Sequence, residues 1–114
     1  MQLLLSVVIL TKNEENNIID CLEGLNFSDE IVIIDDYSTD RTLDVIRDLN
    51  RKNVHIHKRK LDNDFSSQRN YGLSKAKGKW VLFVDADERI NKDLGGEIMS
   101  YISNNNFDIS GNTH

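Results

Sequence analysis

The chain has no proline, a single cysteine and no apolar run long enough to span a bilayer. Without proline there are no prolyl turns and no Pro-rich linkers. No composition shift marks a boundary either, so 114 residues are expected to form one domain. Cys21 has no partner for an internal disulfide, which suits a reducing cytoplasm. The opening LLLSVVIL (3–10) is too short to cross a membrane and lacks both a basic leader and a small-residue cleavage site, so it reads as a buried strand. Basic residues are outnumbered, 14 against 19 acids, and the net charge of −5 argues against a general nucleic-acid or anionic-membrane surface.

What is present is an alternation of apolar runs and helix-period segments. Residues 3–10 and 31–34 (IVII) read as strands buried on both faces, Val54 and Ile56 as a weaker third strand, and 80–84 (WVLFV) as a fourth. Helices are expected after Asn13, after Ser38 or Thr39, from about Ser66 to a Gly78 cap, and from about Asn91. Gly95-Gly96 weaken the last by roughly 2 kcal/mol against alanine. Residues 58–65 form the longest loop candidate. Strict alternation implies an α/β fold, an open and mostly parallel sheet with flanking helices, with the first strand beside both the second and the fourth. Residues 1–102 are expected to form the domain. The polar run SNNNFDISGNTH (103–114) reads as a tail, and as the point where a longer chain is interrupted.

Three polar clusters fall at the carboxyl ends of strands, where such sheets bind ligands. They are Thr11-Lys12-Asn13-Glu14, Asp35-Asp36 with Tyr37 and Ser38, and Asp85-Ala86-Asp87. Asn13 and Ser38 also suit helix caps, and one of Asp35 and Asp36 suits a brace for the following turn. Asp85 and Asp87, spaced by two, point the same way if the backbone stays extended, and their repulsion calls for a cation. Hard oxygen ligands suit Mg²⁺ or Mn²⁺. Arg69 suits either a diphosphate contact or an ordinary surface. His55, His57 and the HKRK run at 57–60 read as solvated, and Cys21 as core.

The blocks SVVILTKNEENNI, IVIIDDYSTDRT and SSQRNYGLSKAKGKWVLFVDADE together resemble the family 2 glycosyltransferases, whose N-terminal half is the Rossmann-like nucleotide-binding part of a GT-A fold. They look closest to bacterial enzymes of lipopolysaccharide core synthesis. The resemblance implies inverting transfer from a nucleotide diphosphate sugar, usually a UDP-sugar, to a saccharide or glycolipid acceptor, with Mn²⁺ or Mg²⁺. A cytoplasmic location is expected, with peripheral association of the full protein at the inner face of the membrane as an option. By resemblance Thr11 and Glu14 line the nucleoside pocket, and Asp36 accepts a hydrogen bond from the base. Asp85 lies near ribose and metal, Asp87 ligates the metal (the DXD motif), and Arg69 and Asn70 support the pocket. Leu10 and Lys12 stand where many relatives have proline and tyrosine. The family's catalytic base lies in the second half of the fold and no residue here is assigned to it, Glu88 included. Donor binding without transfer is therefore expected of this chain. A receiver-type signalling module and a nucleotidyltransferase are the alternatives, but the former places its acid pair after the first strand and the latter has a glycine-rich basic loop there.

Overall fold

A computed structural model of the protein describes residues 3–105. The elements run β1 (Leu5–Thr11), α1 (Ile18–Glu23), β2 (Glu30–Asp35), α2 (Thr42–Asp48), β3 (Val54–Lys58), α3 (Phe65–Lys75), β4 (Trp80–Phe83) and α4 (Lys92–Asn104). All pairings are parallel, in the order β3-β2-β1-β4, so β1 has β2 on one side and β4 on the other as expected.

Strand alternation sorts the core into two layers. Val7, Ile9, Ile31 and Ile33 face α1 and α2 and pack with Ile18, Cys21, Leu22, Leu25, Leu43 and Ile46. Val8, Val32 and Ile34 face the other way, towards α3. Both faces of β1 and β2 are covered, which is why these strands read as continuous apolar runs. Each fully buried Leu or Ile contributes roughly 1.5–3 kcal/mol of transfer free energy. The α3 layer is thin in apolar side chains, and the helix sits close instead. A Cβ on Gly72 would lie 2.5 Å from Val8 Cγ1, and Gln68 is buried in the same interface.

Several boundaries differ from expectation, each for a local reason. Helix α1 begins at Ile18, not after Asn13, because residues 14–17 form a preceding turn closed by Asn17 and Ile18 amides on the Glu14 carbonyl. Helix α2 begins at Thr42, because Asp40 turns back to accept from the Thr42 amide at 2.9 Å and from its hydroxyl. Helix α3 is capped by Asp64, which accepts from Ser67 N at 3.0 Å, and it ends at Lys75. Gly78 is not its cap. It lies against β1, donating to Ser6 Oγ at 2.8 Å, and a Cβ there would stand 2.6 Å from Ser6 N. Helix α4 does start after Asn91, which caps it through Leu94 N at 2.8 Å, and runs through both glycines. It continues to Asn104, into the stretch read as tail; residues 106–114 lie outside the described residues. The connection 84–91 is longer than 59–64, so residues 58–65 are not the longest loop. No helix among the described residues is long and apolar enough to cross a membrane.

Candidate nucleotide and metal site

The loops leaving β1, β2, β3 and β4 meet at one sheet edge. Asp35 is fully buried there and acts as the brace. Its Oδ1 accepts from Thr11 Oγ1 and Ser38 Oγ, both at 2.6 Å, and its Oδ2 accepts from Ser38 N at 2.8 Å. The expected caps turn out to be loop latches. Asn13, at φ 54°, accepts from Thr39 N (2.7 Å) and Asp40 N (3.2 Å), while Ser38 Oγ accepts from Asn13 N at 2.8 Å. These bonds sew the β1 loop to the β2 loop.

With Asp35 committed, Asp36 is the acid that faces outward. Its Oδ1 accepts from Leu61 N at 3.1 Å, which ties in the β3 loop, and its Oδ2 has no partner among the described residues. Gln68 pins the same loop to α3, donating to the Arg59 carbonyl at 2.6 Å and accepting from Arg59 Nη1 at 2.9 Å. Lys12 Nζ donates to the carbonyls of Asp36 (2.8 Å) and Tyr37 (3.2 Å), and so supports Tyr37 in its left-handed backbone at φ 48°. Such a conformation costs on the order of 1–3 kcal/mol for a bulky residue.

Two adjoining cavities, each of about 260 Å³, open beside Leu10. The first is lined by Thr11, Lys12, Asp36, Leu61 and Gln68, the second by Arg69, Phe83, Asp85 and Glu88; Leu10 and Phe65 belong to both. Thr11, Asp36, Arg69 and Asp85 are therefore brought together along one groove. Thr11 is only 3% exposed, and its hydroxyl proton is spent on Asp35. Arg69 is exposed and makes no hydrogen bond or ion pair among the described residues. Glu14 lines neither cavity. Its amide donates to Thr42 Oγ1 at 2.8 Å and its carboxylate accepts from Asn17 Nδ2 at 3.2 Å, so it builds the turn before α1. Asn70 and Asp87 are exposed and line neither cavity.

The acid pair does not continue the strand. After Val84 the chain turns over Asp85–Glu88, with Glu88 N on the Asp85 carbonyl at 2.9 Å, so the extended spacing expected for Asp85 and Asp87 is replaced by a turn. Both carboxylates are exposed and accept no hydrogen bond among the described residues. No group of three or more His, Cys, Asp or Glu among the described residues could hold a metal by itself. Exposed hard oxygens without internal partners fit a Mn²⁺ or Mg²⁺ whose remaining positions are filled by water and substrate phosphates. Behind the turn, Cys21 Sγ lies 3.5 Å from the Asp85 carbonyl, and burial pushes its thiol up from 9.0 to about 11. A cysteine so placed is core packing, as expected.

Lys12, already named in the polar cluster after the first strand, joins the site, and Leu61, Phe65 and Gln68 join it without a sequence signal that singles them out. Phe65, 56% exposed between both cavities, is the only one with a visible anomaly: an aromatic beside an Asp cap. A larger cavity of about 360 Å³ between β4 and α4 is apolar, with Glu97 its one carboxylate, and lies off this edge.

The model of the family described as Glycosyl transferase family 2 matches residues 6–112. The chain is 37% identical over 91 residues to the SPbeta prophage-derived glycosyltransferase SunS of Bacillus subtilis, covering 79% of this chain and 21% of that protein. It is 32% identical over 112 residues to the poly(ribitol-phosphate) beta-N-acetylglucosaminyltransferase TarS of Staphylococcus aureus, covering 91% and 20%. The crystal structure of S. aureus TarS 1–349 superposes with a TM-score of 0.74 at 33% identity, over 87% of this chain and 32% of that one. The chain thus spans about a fifth of these curated relatives' length. Fold and sequence agree over nearly the whole chain: it belongs to glycosyl transferase family 2, with the α/β architecture of the GT-A fold.

Proposed function

We propose that this chain is the donor-binding part of an inverting glycosyltransferase, holding a UDP-sugar across the two cavities with Mn²⁺ or Mg²⁺ at Asp85 and Asp87. The observation that carries the reading is the pairing of cavities beside Leu10, one ending on the open oxygen of Asp36, the other on Arg69 and Asp85. Asp36 Oδ2 can accept from the N3–H of uracil, whereas the bare N3 of cytosine would meet it lone pair to lone pair. That predicts preference for UDP over CDP. Arg69 supplies a fixed cation for the diphosphate. When bound, the divalent ion stabilises the charge gained by the leaving diphosphate. The residues of this chain bind and orient; a base for the acceptor hydroxyl is not assigned among them.

The acceptor is read as a saccharide or glycolipid. Lipopolysaccharide core oligosaccharide and poly(ribitol phosphate) both belong in the assay, the second because a relative carries that name. Calorimetry with UDP and Mn²⁺ tests the donor site, with and without EDTA. Binding should require the cation and vanish in Asp87→Ala, whose melting temperature without ligand should not fall. Equal UDP affinity in EDTA would overturn the metal role, and equal affinity for CDP would overturn the role given to Asp36.

A further inference from the structure

The sequence crowds three acids into Asp85, Asp87 and Glu88, yet the fold uses them differently. Glu88 Oε1 accepts from Asp85 N at 2.7 Å, and Glu88 N donates to the Asp85 carbonyl at 2.9 Å. Both peptide groups of Asp85 are therefore occupied by one residue, and Cys21 Sγ approaches the same carbonyl from behind. On either side Val84 and Ala86 are buried and anchor the turn in the core. The side-chain carboxylates of Asp85 and Asp87 remain open.

We propose that Glu88 is a positioning residue, whose carboxylate clasps the Asp85 peptide and presets the Asp85–Asp87 turn, and is not a third ligand of the cation. The proposal rests on the donor-site reading above. A carboxylate that accepts a short bond from a backbone N–H makes a charge-assisted contact, stronger than a neutral one. With Oε1 held by the Asp85 amide, only Oε2 is left to meet a cation, and the charge-removing variant below separates such a contact from the clasp. The clasp also explains why a third negative charge is tolerated beside two others, since the bond offsets part of the repulsion. Arg89 adds to this by reaching away to Asn17 Oδ1 at 3.0 Å, which holds the far end of the turn against the start of α1.

The two roles separate in a pair of variants. Glutamine keeps an oxygen that can accept from Asp85 N but removes the charge; alanine removes both. Two readouts apply to each: calorimetry of Mn²⁺ with UDP, and hydrogen exchange at the Asp85 amide without metal. Glu88→Gln should keep Asp85 exchange within about threefold of the unaltered chain and lower affinity by no more than about fivefold, the share of one exposed charge. Glu88→Ala should speed Asp85 exchange and weaken affinity by a further tenfold or about that. Loss of affinity as large in Gln as in Ala, with Asp85 exchange unchanged in Gln, would make Glu88 a ligand and overturn the proposal. Unchanged Asp85 exchange in Ala would overturn it as well. If the unaltered chain binds no UDP with Mn²⁺, the donor reading falls, and exchange alone decides the clasp: faster exchange in Ala than in Gln upholds it, equal exchange overturns it.

Discussion

Asp35 and Asp36 share a charge and a peptide bond, but the strand turns one inward and the other towards the groove. Asp35 is fully buried and accepts three hydrogen bonds, from Thr11 and twice from Ser38. Removing it strands those donors. Asp35→Ala should cost about 2–4 kcal/mol, from several donors left unmade, read as a lower urea midpoint. Asp36→Ala loses only the Leu61 amide contact and should cost under about 1 kcal/mol while abolishing the preference for UDP over CDP. A large stability loss in Asp36→Ala with little in Asp35→Ala would reverse the two roles. A brace was one reading of the adjacent acids, and the family resemblance named Asp36 for the base; the residues alone did not say which acid turns inward, because that depends on the strand running through Asp35, a phase of one residue that no local pattern encodes. Sequence pattern likewise hid the partners of Lys12 and Gln68, which are backbone carbonyls of the β2 and β3 loops.

At the level of elements, β1 and β2 were legible because runs buried on both faces have few other uses, and the strict alternation of strands and helices supplied the order. The starts of α1 and α2 were not legible. Asn13 and Ser38 carry capping side chains, but the β1 and β2 loops use them to bind each other first. Glycines mislead in the same way, since close approach and capping both call for one. Gly78 lies against the backbone of β1, where an added Cβ would meet Ser6 N at 2.6 Å and Leu5 C at 2.9 Å. Gly78→Ala should therefore cost about 1–3 kcal/mol by overpacking. Gly96, by contrast, has nothing within 4 Å of its Cβ position. Gly96→Ala should stabilise by up to about 1 kcal/mol through helix propensity alone. Melting temperatures of the two variants should move in opposite directions; a common direction would contradict the packing described for α4 or for Gly78.

For the whole molecule, a net charge of −5 sets the field that the proposed diphosphate donor would meet. Asp85, Asp87 and Glu88 lie exposed beside the groove, with Lys12 and Arg69 the cations on its walls. Without metal, UDP should bind more weakly than uridine at low ionic strength, and raising salt from about 0.05 M to about 0.5 M should narrow the gap by screening. Uridine should respond little to salt or to Mn²⁺. A metal-free preference for UDP at low salt would show that Lys12 and Arg69 outweigh the acids. The loop bonds carry one more consequence. Three loops are fastened to one another through Asn13, Ser38 and Asp36, whereas the acid turn reaches out through Cys21 and the exposed Arg89. The side of the groove proposed for the nucleoside is thus tied before anything binds, as is the Asp85 peptide, so the entropy of ordering falls on the open side chains of Asp85, Asp87 and Arg69. Uridine should then bind with a small entropic penalty, and the larger loss of freedom should appear only when diphosphate and cation bridge the groove.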